Sequence, residues 1–212
     1  MTENKNNAAP ALAMNLIEFL GRSTEQNFDD CSLAKVLAAL PPLSPQGPWL
    51  AGGALRRTLL NQEPDSDFDF FFRDKDQLDA FVTALEQSSM TKIKETQHHV
   101  HYRGRLGERN VDVQCIRFAF YANAIAVVES FDFTICMFAF DGSDLTVGPY
   151  ALWDLGRKRL AVNKVTFPVS SMRRVLKYAS QGFKACNGCL ATLLRATADD
   201  PSLSTACACL AM

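Results

Sequence analysis

Asp67 and Asp69 stand two residues apart in the segment SDFDFFF, and the pair Gly52-Gly53 precedes them by about fifteen residues. Alternate residues of a strand project from one face, so a strand here sets both carboxylates side by side and turns Phe68 and Phe70 the other way. Phe71 breaks the alternation, which predicts cover on both faces at the far end of that strand. Two adjacent carboxylates repel, and a hard divalent cation with oxygen ligands relieves them. Upstream, Pro48–Ala51 reads as a short buried strand. The two glycines read as a sharp turn that exposes backbone N–H groups. Ala54–Asn61 reads as a helix whose N-terminus favours an anion, and Arg56, one turn in, adds a charge-assisted clamp for phosphate. Either half alone is commonly structural, a plain turn or a solvated acidic face. In this order and spacing they suit Mg²⁺-assisted phosphoryl or nucleotidyl transfer.

Glycine pair, arginine and D-x-D together resemble the head domain of the tRNA nucleotidyltransferase and poly(A) polymerase family, within the polymerase β-like superfamily. Gly52, Gly53, Leu55, Arg56, Asp67 and Asp69 occupy matching places, while Arg57 stands where that family usually has Asp. The segment FDFTICMFAFDG, residues 131–142, is similar to the family's R-R-D-F-T-I-N-A-M. Ser130 and Phe131 replace its arginines and Cys136 replaces its Asn. A helix opening at Pro168 resembles another family helix through Arg174, Lys177, Tyr178, Gly182 and Phe183. The resemblance runs from about Trp49 to Phe183, and the chain reads as a compact form without the family's body and tail.

What the resemblance implies is an α/β (α+β) fold of the polymerase β-like kind: a small mixed, mostly antiparallel sheet flanked by helices, with helical extensions at both ends. It implies one or two Mg²⁺ ions held by Asp67, Asp69 and Asp112. Gly52, Gly53 and Arg56 would cradle the β- and γ-phosphates of a nucleoside triphosphate, ATP among them. Asp132, Arg174 and Lys177 would sit near the rest of the nucleotide. The reaction implied is transfer of a nucleotide to an acceptor hydroxyl with release of pyrophosphate, first of all at a tRNA-like RNA 3′ end. Nucleotidylation of a protein or small molecule, in a toxin-like or phage-encoded role, is the alternative, as is a fold that binds nucleotide without reacting. Read from the residues alone, Asp112 is a lone carboxylate between Val111 and Val113 of a strand, and an exposed-face Asp accounts for it as well as a third ligand does.

Around these groups, Pro10–Leu20 reads as a helix. Asp29 or Asp30 caps a second helix that ends at Leu40 before Pro41-Pro42. Asp76–Gln87 is amphipathic through Leu78, Phe81, Val82 and Leu85. Thr91–Gln97 reads as a strand, and His99–Arg103 with Asn110–Phe118 as a hairpin. His98, His99 and His101 read as solvent-facing or core side chains, because neighbours on a strand point opposite ways. Tyr121–Val128 reads as a short helix, and Ser170 or Ser171 as the cap of the helix after Pro168. The division expected is residues 1–45 as a helical extension, 46–165 as the nucleotidyltransferase head, 166–198 as basic helices and 199–212 as a loose tail.

At 212 residues, 48% hydrophobic and 21% charged, the chain fits one globular domain or one with a small appendage. A net charge of −1 hides an asymmetry: no Asp or Glu lies between Leu155 and Ala198, where Arg and Lys recur. A basic face of that kind suits a nucleic acid or a nucleoside triphosphate. Seven cysteines without an apolar signal segment read as reduced thiols in a cytoplasmic setting. Cys186, Cys189, Cys207 and Cys209 read as free thiols sooner than a zinc site. No run is long enough to span a membrane.

Overall fold

The computed structural model describes residues 12–15, 32–62, 67–106 and 109–200. Its strands are β1 (Leu12–Asn15), β2 (Trp49–Ala51), β3 (Phe68–Phe71), β4 (Thr91–Glu95), β5 (His99–Leu106), β6 (Arg109–Ile116), β7 (Phe138–Phe140), β8 (Asp144–Val147), β9 (Arg159–Leu160) and β10 (Lys184–Ala185). Its helices are α1 (Ser32–Ala38), α2 (Gly53–Leu59), α3 (Lys75–Glu86), α4 (Ala124–Glu129), α5 (Ala151–Gly156), α6 (Pro168–Ser180) and α7 (Asn187–Ala198), with a 3₁₀ turn at Thr134–Cys136. Eight strands form one sheet in the order β1-β8-β7-β2-β3-β6-β5-β4, and β9 pairs with β10 separately. Within the large sheet β3 and β6 run parallel and the other neighbours are antiparallel. The mixed, mostly antiparallel sheet expected from the sequence is therefore the one observed.

Central β2 and β3 are short and almost wholly apolar, which suits strands covered on both faces. Trp49, Leu50, Phe70 and Phe72 are fully buried. Asp74 caps α3 by accepting from Gln77 N at 2.8 Å, and α3 lays Leu78, Phe81 and Leu85 on the sheet. Phe81 packs 4.9 Å from Phe70 and 5.4 Å from Phe72, centroid to centroid. On the carboxylate face, Phe71 is buried against Tyr121 and Phe131, as its break in alternation predicts.

Two local expectations change. Leu12–Asn15 is a strand on β8, not part of a helix over Pro10–Leu20. The edge of β8 carries unpaired backbone groups, and a strand that satisfies them outweighs local helical spacing. The rest of that predicted helix, and Asp29 and Asp30, lie outside the described residues. Helix α6 begins at Pro168 itself, with Phe167 in the N-cap place and no side-chain cap. Proline suits the first helical position because its missing N–H is one of the orphans there. Ser171 is thereby freed for a different role.

Candidate functional site

Gly52 links β2 to α2 at φ 83° and ψ −125°, a conformation open to glycine and strained for other residues. Its N–H donates to Phe138 O at 3.1 Å and its carbonyl accepts from Arg56 N at 3.1 Å, fixing the turn to β7 and to its own helix. A Cβ at Gly52 would lie 3.3 Å from the Phe131 ring and 4.0 Å from Asp69 Oδ2. The glycine turn and the second carboxylate are thus immediate neighbours. Gly53 is the first residue of α2.

Register does the rest. Asp69 lies between Ala51 of β2 and Gln114 of β6. The Gln114 side-chain amide donates to Asp67 Oδ2. Asp112, two residues before Gln114 and so on the same face, lies opposite Arg103. Arg103 Nε donates to Asp112 Oδ1 at 2.9 Å, and His101 Nε2 lies 2.7 Å from the same oxygen. Asp67, His101 and Asp112 each present a ligand atom, all within 4.8 Å of one another. Asp67 therefore stands between Asp69 on one side and Asp112 on the other.

The carboxylates differ in electrostatics. Scarcity of water pushes Asp69 from 3.8 up to about 7, the Asp67 charge adds to this, and Lys177 and Arg174 act against it. Burial also works to raise Asp112, but hydrogen bonds from Arg103 and His101 outweigh it and leave the carboxyl below its usual value.

Arg56 is 3% exposed, and its guanidinium points into the protein. Nη1 lies 3.5 Å from Cys136 Sγ, Nη2 donates to Gln181 Oε1 at 3.2 Å, and Cζ lies 4.7 Å from the Tyr178 ring centroid. The cation expected at the phosphates is instead held between α2, the 3₁₀ turn and α6. Asp132 is also turned inward: its Oδ2 accepts from Ser171 Oγ at 2.8 Å and from Arg174 Nη1 at 2.6 Å. Its carbonyl accepts from Asn163 N at 2.8 Å. Arg174 and Lys177, one turn apart on α6, are exposed, and both bias Asp69.

Asp67, Asp69 and Asp112 thus share one face beside Gly52, with Arg174 and Lys177 electrostatically in reach, while Arg56 and Asp132 lie within the protein. Gln114 joins the cluster without having been singled out, and His101, which reads from the sequence as a solvent-facing or core side chain, joins it as well. Their signal is the same-face spacing of His101 with Arg103 and of Asp112 with Gln114, legible only once the two strands are paired. Cys186 Sγ caps α7 by accepting from Cys189 N at 3.5 Å, and Cys189 is buried. Cys207 and Cys209 lie outside the described residues. No described helix is long and apolar enough to cross a membrane.

Residues 22–158 match the family described as Gabija anti-defense 2 family protein (Gad2). A protein named Gabija anti-defense 2, from Bacillus phage SPbetaL7, is 28% identical over 137 residues, covering 63% of this chain and 33% of that protein. The match thus spans about a third of the length of that curated relative. In fold, the Thermotoga maritima CCA-adding enzyme complexed with tRNA is similar with a TM-score of 0.57 at 16% identity, over 87% of this chain and 45% of that one. A CCA-adding enzyme with CTP gives 0.60 at 14% identity, over 91% and 48%. The same kind of enzyme with ATP gives 0.58 at 16%, over 92% and 47%. At these identities the likeness shows the fold, that of the polymerase β-like nucleotidyltransferases.

Proposed function

The chain belongs to the Gabija anti-defense 2 family, and on that premise we propose that it counters this defence as a Mg²⁺-dependent nucleotidyltransferase. It would move a nucleoside monophosphate from a nucleoside triphosphate onto a hydroxyl of a protein acceptor. The observation that carries the reading is the placement of Asp69. Its carboxyl stands beside Asp67 and against the side-chain-free Gly52, short of water, with Arg174 and Lys177 acting on it. A carboxyl lifted to about 7 by poor solvation and then by a neighbouring charge gains from a divalent cation. The oxygens of Asp67 and Asp112 supply further hard ligands. The donor set fits Mg²⁺, which Asp67, Asp69 and Asp112 would hold; bound there, it supplies Lewis-acid neutralisation of phosphate charge.

The remaining roles belong to the chain. Gly52 keeps the turn in a conformation that seats it directly beside Asp69. Gly53, first in α2, has an N–H without an intrahelical acceptor. Arg174 and Lys177 offset the charge of the triphosphate. Asp132 holds Arg174 in place through the 2.6 Å ion pair, and Arg56 ties α2 to α6, so both are positioning residues. In the transfer, the acceptor oxygen bonds to the α-phosphorus and the bond from that phosphorus to its bridging oxygen breaks. Pyrophosphate leaves, and the hydroxyl proton passes to solvent.

A second reading is a fold that binds nucleoside triphosphate without transfer. It is favoured by Asp112, which already has Arg103 and His101 as partners, and by the inward Arg56. One experiment separates the readings. The full chain is incubated with each α-³²P nucleoside triphosphate, Mg²⁺ and an extract of cells that express the defence. Asp67→Ala/Asp69→Ala serves as the control. Label in a discrete protein band, lost in the control, is the expected result. Label at RNA 3′ ends would restore the tRNA-like acceptor. Nucleotide binding in equilibrium dialysis without label anywhere would favour the second reading, and absence of both would overturn the two together.

A further inference from the structure

We infer that the outer face of α5 and the turn after it form a platform for single-stranded nucleic acid, in which Tyr150 and Trp153 stack on bases while Arg157, Lys158 and Lys184 meet phosphates. The platform would bind its ligand whether or not the chain transfers nucleotides.

Helix α5 buries Ala151, Asp154 and Leu155 and leaves Tyr150, Trp153 and Arg157 on the opposite side. Trp153 lies within the helix, with Tyr150 at its N-cap and Arg157 at its C-cap. Tyr150 is 59% and Trp153 55% exposed. Single apolar residues at a surface need no explanation, but two large aromatics within one helical turn form a patch. Tyr150 also adopts φ 61°, a left-handed conformation that is costly for a bulky side chain. Its carbonyl nevertheless accepts from Asp154 N at 2.8 Å and opens the helix, which fixes the ring at the rim.

The charged residues that follow Trp153 beyond the buried Asp154 are basic up to Ala198. The Arg157 guanidinium lies 3.8 Å from the Trp153 ring centroid, stacked on one face of an indole that still has over half its surface in water. Lys158 follows at φ 53°, with Nζ 4.9 Å from the Phe183 centroid. Lys184 N donates to Lys158 O at 2.8 Å, which brings β10 and its exposed lysine beside the turn. The carboxylate nearest in sequence, Asp154, is fully buried and taken by Arg159 at 2.5 Å. Among the described residues no ion pair engages Arg157, Lys158 or Lys184, and the sequence places no Asp or Glu between Leu155 and Ala198. Exposed aromatic faces interleaved with unpaired cations match what bases and phosphates offer together. A duplex hides its base faces, so the strand it suits is single.

The two tryptophans make the test specific, because Trp49 is fully buried and Trp153 is exposed. The full chain, in EDTA and without nucleotide, is titrated with fluorescein-labelled dT and rU 12-mers at several salt concentrations. We expect quenching of tryptophan emission, a rise in anisotropy, and a log–log salt slope near −2, at about −0.7 per phosphate neutralised. Trp153→Ala should weaken binding at least tenfold with an unchanged melting temperature, whereas Trp153→Phe keeps most of it. Arg157→Gln and Lys158→Gln should each flatten the slope by about 0.7. Asp67→Ala/Asp69→Ala should bind like the wild type, which keeps this result distinct from any failure of the transfer reading. Equal affinity for a duplex of the same length, equal affinity for polyglutamate, wild-type binding by Trp153→Ala, or no binding at all would each overturn the platform.

Discussion

The guanidinium of Arg56 lies 4.7 Å from the ring centroid of Tyr178, and this contact joins the helix after the glycine turn to the helix that carries Arg174 and Lys177. Among the described residues, the groups in contact with the cation are neutral: Cys136, Gln181 and the rings of Tyr178 and Phe183. A buried cation without a carboxylate depends on such a ring face. Tyr178→Phe keeps the ring and loses only the 3.0 Å contact of the hydroxyl with Cys136, so it should cost about 1 kcal/mol. Tyr178→Leu strips the ring from Arg56 and should cost about 3 kcal/mol. Combining it with Arg56→Met should cost less than the sum of the two, by about 1 kcal/mol. Urea unfolding of the wild type, the three single variants and the double variant measures all three; equal costs for Phe and Leu would remove the cation–ring contact from the account.

The raised carboxyl of Asp69 makes a pH prediction. A group whose proton affinity is higher folded than unfolded stabilises the fold at low pH, and loses that contribution as pH rises from 3.8 through about 7. The metal-free protein should therefore lose stability across that window, on the order of 1–2 kcal/mol between pH 5 and 8 after allowance for partial access of water. Asp69→Asn removes the titrating carboxyl and should flatten the profile. Thermal melts in EDTA at both pH values check it, and parallel losses in wild type and variant would contradict it.

Gly52→Ala tests the turn. The added methyl group meets the Phe131 ring at 3.3 Å and the backbone stays at φ 83°. Strain in that region costs about 1–3 kcal/mol for a residue with a Cβ. Trimming the ring in Gly52→Ala/Phe131→Ala should not recover the loss, because the backbone conformation remains. Full recovery of the folding midpoint would show that contact, not conformation, is what selects glycine here.

Legibility in the sequence followed the range over which each signal acts. Gly52, Asp67 and Asp69 were readable because turn, strand and alternation are local, and β2, α2 and β3 formed close to where their patterns lay. Leu12–Asn15 lies in a segment of helical spacing, yet its partner strand, β8, far along the chain, decides its form. Arg56 has the composition of a phosphate ligand, yet its direction is set by Tyr178 and Gln181 of a remote segment. His101 and Gln114 entered the site through the pairing of β5, β6 and β3, which no single segment encodes. Ser171 looked like a cap, but Pro168 already starts the helix and the hydroxyl serves Asp132.

Asp154 and Arg159 form a pair with unequal halves, and removing each should cost differently. Asp154 is fully buried, accepting from Thr134 Oγ1 at 2.7 Å and from Arg159 Nε at 2.5 Å, while the Arg159 side chain is nearly half exposed. Asp154→Asn keeps an acceptor for Thr134 and lets Arg159 turn to water, so about 1–2 kcal/mol should be lost. Arg159→Ala leaves a buried carboxylate with a single hydroxyl partner, and the loss should be about 3–5 kcal/mol. Helix α5 depends on this anchor to the Thr134–Cys136 turn, so the larger loss should also slacken the helix. Amide hydrogen exchange at Trp153–Gly156 should rise more in Arg159→Ala than in Asp154→Asn. The reverse order in either stability or exchange would mean that the exposed cation, not the buried carboxylate, governs the pair.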